Sequence, residues 1–149
     1  LTANASLYFP ERSVPFTRLY EPKNRSPHMA PDDQTVVVLE RPCHPHTEAW
    51  EQSDDTLRNS AVDLLATQGF IEGDGDVVAV DHRALPFAYP ILEVGAHDKA
   101  NRLKTYLDHF NNLHLLGRSA RFTYTHVHNL YARARRLTER IAPRAKSVA

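Results

Sequence analysis

The chain has 149 residues, enough for one domain with a hydrophobic core and too few for two domains of ordinary size. Its 18 basic and 18 acidic residues cancel, so no net charge draws the whole molecule to nucleic acid or to an anionic membrane. No apolar run approaches the ~20 residues of a bilayer-spanning helix, and the lone Cys43 cannot form an internal disulfide. We therefore expect one compact, soluble, cytoplasmic unit without nucleic-acid or membrane partners.

Three segments near the start of the chain have strand patterns. Apolar and polar residues alternate over residues 1–9, and a second extended segment covers residues 14–20. Residues 35–40 hold three valines and a leucine between polar loops, a pattern typical of a strand buried on both faces. Because the connections are short, the three strands predict an antiparallel sheet.

Helices and short strands are predicted to alternate over the rest of the chain. Ser53 caps a helix that ends near Gly69, and a second helix carries an apolar face at Leu103, Tyr106, Leu107 and Phe110. A third helix begins near Val127 and stops at Pro143. We expect short strands at residues 77–80 and 113–116 and an extended run over residues 81–92. The fold class is α+β, an antiparallel sheet with packed helices.

Arg18 is the first candidate binding residue. It lies near a strand end with Glu21 and Lys23, where a fixed guanidinium could hold a phosphate or a carboxylate. The alternative is an ordinary surface ion pair between Arg18 and Glu21, which would contribute little.

A second candidate region follows Gly117. Arg118 comes after a predicted strand, and Tyr124, His126 and His128 lead into the last helix, whose first N–H groups could face an anion. The alternative is an ordinary helix start. The basic residues from Arg118 to Lys146 are typical of a charged helix face rather than of a nucleic-acid site.

No complete motif for other chemistry is present. The histidines beside Cys43 and the pair His126 and His128 lack further converging ligands, so we predict no metal site. The sequence has no G-x-S-x-G elbow, and no strand is followed by G-x-G-x-x-G or by a P-loop. The chain therefore lacks a complete nucleotide-binding unit of its own.

Four segments together resemble a known series. Residues 14–23, Ala88-Tyr89-Pro90, Asn101 and residues 117–128 are similar, in that order, to the C-terminal half of FAD-containing amine oxidases that are often labelled protoporphyrinogen oxidase-like, and of UDP-galactopyranose mutases. The four segments are spread over nearly the whole chain, from residue 14 to residue 128.

The resemblance implies the C-terminal part of an enzyme whose FAD-binding domain is discontinuous. Residues 1–111 would belong to the substrate domain and residues 112–149 to the segment that returns to the flavin. Arg18, Tyr89 and Arg118 would bind substrate, whereas catalytic residues stay unassigned. The resemblance places the following residues at the cofactor: Gly117, Arg118, Tyr124, His126, Val127 and His128.

A FAD-dependent oxidoreductase of undefined substrate is the function we expect for the parent enzyme. His126 stands where mutases commonly carry an acidic residue, and this departure favours the oxidoreductase over a sugar-nucleotide mutase. The mutase is kept as one alternative, and a non-enzymatic α+β binding or assembly domain is another. The resemblance implies a missing glycine-rich N-terminal half and a small-molecule substrate as partners. The chain alone is expected to bind FAD weakly, to be inactive and to self-associate.

Overall fold

A computed structural model of the chain describes residues 1–142. Within them the fold is α+β, with a three-stranded antiparallel sheet and five α-helices, which confirms the predicted class at that level. Of the predicted features, the helix stop at Pro143 and the basic residue Lys146 lie outside the described residues. None of the helices in this part of the chain is long and apolar enough to cross a membrane.

The chain divides into two compact units, Leu1–Ala84 and the residues from Leu85 onward, where its length had led us to expect one. The boundary after residue 111, which came from the resemblance, concerns a parent enzyme and stays a prediction. Each unit is described by itself below.

The sheet of the first unit consists of β1 (Leu7–Tyr8), β2 (Arg18–Tyr20) and β3 (Val38–Glu40), paired in the order β1-β2-β3. Leu19 of the central strand lies opposite Leu7 and Leu39 and is completely buried. All three strands are shorter than predicted. The expectation that residues 35–40 are buried on both faces is wrong, because β3 is an edge strand and its residues are only half-buried.

Helices of the first unit are α1 (Glu48–Glu51) and α2 (Asp54–Thr67). The predicted cap of α2 is confirmed: the Ser53 hydroxyl accepts a hydrogen bond from the Thr56 backbone N–H at 3.2 Å. Leu64 and Leu65 are buried near the end of this helix. The chain then turns through Gly69, whose φ of 72° favours glycine. Single 3-10 turns occur at Pro22–Asn24, Pro27–Met29 and Asp74–Asp76.

Two predicted strands are wrong. Residues 77–80 and residues 113–116 form neither a strand nor a helix. In the first of these segments Val78 is 80% exposed. A short apolar run becomes a strand only when a neighbour supplies the other half of its hydrogen bonds, and the described sheet ends at three strands.

The second unit contains α3 (Ala96–Leu107), α4 (Arg118–Arg121) and α5 (Val127–Ile141). The two long helices confirm the periodicity of the sequence. Residues 85–92 have no regular structure, and Phe87 takes a left-handed φ of 56°, so this stretch is not continuously extended as predicted.

Apolar side chains of α3 and α5 remain largely open to solvent. Leu103 is 64% exposed, and on α5 Val127 and Tyr131 are 82% and 74% exposed. The apolar faces that the sequence predicts are therefore present on both helices, but the second unit buries little of them.

Candidate functional site

Arg118 and two tyrosines form the most compact cluster of candidate site residues. The Arg118 guanidinium carbon lies 4.8 Å from the centre of the Tyr89 ring, in cation–π geometry. The centre of the Tyr124 ring lies 5.9 Å from that of Tyr89, with the planes tilted by 34°. The structure therefore brings together Tyr89, Arg118 and Tyr124, which lie in two separate segments of the sequence.

Two hydrogen bonds fix this cluster to the backbone on either side of Tyr89. Arg118 Nη2 donates to the Ala88 carbonyl oxygen at 2.8 Å, and the Tyr124 hydroxyl donates to the Pro90 carbonyl oxygen at 3.1 Å. Pro90 is buried, whereas the Tyr89 side chain is 49% exposed. The cluster thus presents an aromatic ring and a half-buried cation at the surface of the second unit.

The backbone of residues 117–123 explains how Arg118 and Tyr124 reach the same segment. Gly117 precedes α4 with a φ of 103°, which side-chain-bearing residues rarely adopt, and a Cβ there would meet nothing within 4 Å. Phe122 ends α4 in the left-handed conformation, and the Thr123 N–H donates back to the Arg118 carbonyl oxygen at 3.1 Å. The single helical turn is thereby closed, and Tyr124 follows it directly.

The predicted cofactor residues at the start of α5 do not join this cluster. His126 precedes the helix without a side-chain cap, and its ring stacks on that of His128 at 5.5 Å. Val127 points largely into solvent. Within residues 1–142, no hydrogen bond or ring contact links these three residues to Arg118 or Tyr124.

Arg18 lies in the first unit, and its ion pair differs from the predicted one. Its Nη2 is 2.8 Å from Glu40 Oε1, and its guanidinium carbon is 4.8 Å from the centre of the Tyr20 ring. The sheet register places Arg18 opposite Glu40, which explains the pair. The proposed alternative, an ion pair with Glu21, is therefore wrong.

Glu21 is instead a buried carboxylate that sequence reasoning missed. It accepts hydrogen bonds from the Leu1 nitrogen at 3.0 Å, the Thr2 N–H at 2.7 Å and the Thr35 hydroxyl at 2.8 Å. Burial raises the pKa of Glu21, but the hydrogen bonds from the Leu1 nitrogen, the Thr2 N–H and the Thr35 hydroxyl outweigh burial and lower the pKa. No local pattern marks this role, because its partners lie 14 to 20 residues away.

Lys23 is likewise engaged within the first unit. Its ammonium donates to the carbonyl oxygens of Pro31, Asp32 and Gln34 at 2.5, 3.1 and 2.7 Å. An ammonium group has three donors, and these carbonyls use all of them. Lys23 therefore stabilises the loop that precedes β3 and is not placed to hold an anion.

Other candidate features are dispersed. Asn101 lines an open depression of about 540 Å³ along α3, with Tyr106 and His109, and this depression does not include the Arg118 cluster. Within the described part of the chain, no group of three or more His, Cys, Asp or Glu side chains could hold a metal ion.

Comparison with known proteins adds no identification. No family model matches the chain, and neither does any curated protein or solved structure.

Proposed function

We propose that this chain is part of a FAD-dependent oxidoreductase of the amine oxidase type, and that the Arg118 cluster contacts the bound dinucleotide or its substrate. The observation that carries this proposal is the convergence of Tyr89, Arg118 and Tyr124. These residues come from two motifs of the family resemblance, and their side chains meet at one surface.

The chemical character of the cluster fits such a ligand. A half-buried guanidinium can pair with a phosphate through charge-assisted hydrogen bonds, and two tyrosine rings beside it can contact a flat heterocycle. The present acceptor of Arg118 is a neutral carbonyl oxygen, and none of the ion pairs within residues 1–142 involves Arg118.

In this function the flavin supplies the hydride chemistry, and the protein supplies orientation and charge. Arg118 would neutralise an oxyanion, while the Tyr124 hydroxyl would position the segment that carries Tyr89. The open space beside the Cα atom of Gly117 would let a ligand approach the backbone closely. We assign no acid or base.

The experiment starts with the coding DNA upstream of Leu1. We expect it to encode a strand, a G-x-G-x-x-G turn and a helix, and we expect the protein translated from the whole reading frame to purify with bound flavin, seen by its visible absorbance. Arg118→Ala should lower the flavin content or the affinity for substrate, whereas Arg136→Ala, a change at an exposed arginine of α5, should alter neither. An initiator codon directly before Leu1, or a full-length protein without flavin, would contradict the proposal and favour a binding module.

A sugar-nucleotide mutase is the second candidate, since Arg118 could equally neutralise a sugar-nucleotide pyrophosphate. It is separated from an oxidase by titrating the same full-length protein with UDP. Tight UDP binding that weakens in Arg18→Ala or in Arg118→Ala would favour the mutase. Binding unaffected by either change would favour the oxidoreductase.

A further inference from the structure

One face of α5 carries a row of residues that the second unit leaves open to solvent. Val127, Tyr131 and Ile141 are each more than half exposed, and Thr138 between them is exposed as well. Together with the half-buried Ala134 they form a row that we call the α5 seam. Within residues 1–142 this seam remains open along the whole of the helix.

The spacing of the α5 seam is that of a helix that packs against another helix. Its members stand at positions 127, 131, 134, 138 and 141, so the steps alternate between four and three residues. Positions a and d of a heptad have this spacing in helix pairs, and here it keeps the row on one side of α5 over about 21 Å. Leu130 and Leu137 occupy the neighbouring position of each heptad and are half-buried. The more exposed seam is therefore not the side that the rest of the chain covers.

An open depression in the middle of the α5 seam has the arrangement that such packing uses. It has a volume of about 330 Å³ and is lined by Tyr131, Ala134, Arg135, Thr138 and Glu139. The first four of these residues stand at i, i+3, i+4 and i+7, and four residues of a facing helix form the hole for one inserted side chain in coiled coils. The Thr138 hydroxyl already donates to the Ala134 carbonyl oxygen at 3.0 Å. Covering the depression would therefore not leave this donor without a partner.

The charge of α5 indicates what kind of helix would fit. Residues 127–141 contain four arginines and one acidic residue, Glu139. Arg135, beside the α5 seam, pairs with Glu139 at 2.9 Å, and both side chains are more than half exposed. Such an exposed pair contributes little, so Arg135 can exchange Glu139 for a carboxylate of a facing helix. A second copy of α5 would bring the same surplus of positive charge, which disfavours pairing between two copies.

We propose that the α5 seam docks an amphipathic helix of a separate partner protein, with apolar residues that fill the depression and acidic residues that flank them. A flat anionic membrane would also meet the positive charge, but it has no side chain to insert beside Ala134. Because the seam covers only about four helical turns, we expect binding in the micromolar range. This inference goes beyond the proposed function, since it needs no flavin.

The test uses a synthetic helical peptide of three heptads as its probe. The peptide has leucine at positions a and d and glutamate at the flanking positions e and g, where the acidic side chains disfavour pairing of the peptide with itself. Calorimetric titration of the 149-residue chain should show saturable, micromolar binding. A matched peptide with lysine at e and g should bind about tenfold more weakly. Equal binding of the two peptides, or no saturable binding, would overturn the proposal.

Tyr131→Ala tests whether the peptide binds at the α5 seam. It removes the largest apolar side chain from the depression and should weaken binding by about tenfold. Tyr106→Ala is the matched control, because it makes the same change on α3 at a residue that is 63% exposed, and it should alter the affinity by less than about twofold. Circular dichroism verifies that both variants retain their helices. Equal losses in the two variants would contradict docking at the seam.

Arg135→Gln tests the charged flank. It should weaken binding of the acidic peptide by about fivefold, because it removes the cation beside the depression. Arg136→Gln removes the same charge from the opposite side of α5 and should change the affinity by less than about twofold. Similar losses in both variants would show unspecific attraction between charges and overturn the site.

Three further results would assign the α5 seam to a different occupant and so overturn a separate partner protein. A dimer of the chain that Tyr131→Ala abolishes in analytical ultracentrifugation would assign it to a second copy. Binding to vesicles of phosphatidylcholine and phosphatidylserine that the same variant abolishes, without peptide binding, would assign it to a membrane. Peptide binding to the 149-residue chain but not to the protein translated from the whole reading frame would show that the parent covers the seam itself. A parent protein without FAD would refute the proposed function and leave these measurements unaffected.

Discussion

The two units differ in the hydrogen bonding of their buried polar groups. In the first unit the buried carboxylate of Glu21 accepts three hydrogen bonds, and the Lys23 ammonium donates to three carbonyl oxygens. In the second unit Arg121 and Thr123 bury polar atoms that have no partner within the described residues, and large apolar side chains of α3 and α5 remain exposed. The described part of the first unit thus pairs these charged groups internally, whereas that of the second unit leaves polar atoms unpaired and apolar side chains exposed.

Leu19 offers the strongest way to test the first half of this comparison. Its side chain is completely buried between β1 and β3, so Leu19→Ala should lower the free energy of unfolding by about 2–5 kcal/mol. Urea unfolding followed by far-ultraviolet circular dichroism, which reports the helices of both units, measures this change. Leu103→Ala makes the same substitution at a residue that is 64% exposed and should shift the free energy by less than about 0.5 kcal/mol. Similar losses in both variants would refute the contrast between the units.

The second largest effect is expected at Glu21, where the stability of the first unit should depend on pH. Its folded pKa is lowered, so its contribution is complete above the ordinary pKa of a glutamate and is lost as the pH falls through the lowered value. Glu21→Gln should therefore cost about 1.5–3 kcal/mol at neutral pH, and the difference from the unmodified chain should shrink on acidification. Glu48→Gln, at an exposed position, should show neither effect in the same denaturation series. A difference that is independent of pH would contradict the role given to the charge.

Tyr124 should produce the smallest effect, confined to the second unit. Tyr124→Phe removes the hydrogen bond to the Pro90 carbonyl oxygen and should cost about 0.5–1.5 kcal/mol. We expect faster amide hydrogen exchange over residues 85–94 and no change in the first unit. Tyr131→Phe is the matched control, since its hydroxyl makes no hydrogen bond within the described chain. Faster exchange in the control as well would argue against a specific role of the Tyr124 hydroxyl in holding residues 85–94.

Sequence reasoning succeeded where the signals are local. Ser53, the acidic first turn and Gly69 lie within one helix and its ends, so α2 was predicted correctly. The failures involve pairing between distant residues. Residues 77–80 have strand composition but no partner strand, and Glu40 rather than Glu21 pairs with Arg18 because the sheet register decides the neighbour.

For the candidate site, residue types could be predicted but their contacts could not. The sequence pointed to Tyr89, Arg118 and Tyr124, and the structure places them together. The carbonyl acceptors at Ala88 and Pro90 have no sequence signature, because every residue carries a carbonyl. Arg121 and Thr123 stood within the motif but had no distinguishing pattern, since only burial shows that their polar atoms lack partners.

The hydrogen bond between Arg118 and the Ala88 carbonyl has a consequence for ligand affinity. An oxyanion that takes the particular N–H now donated to Ala88 must displace the carbonyl, so binding through that N–H becomes a competition between an external and an internal acceptor. The apparent dissociation constant then includes the free energy needed to release residues 88–90. It equals the intrinsic dissociation constant divided by the fraction of molecules in which the guanidinium is released. Substitutions in that short segment would therefore tune affinity without touching the ligand.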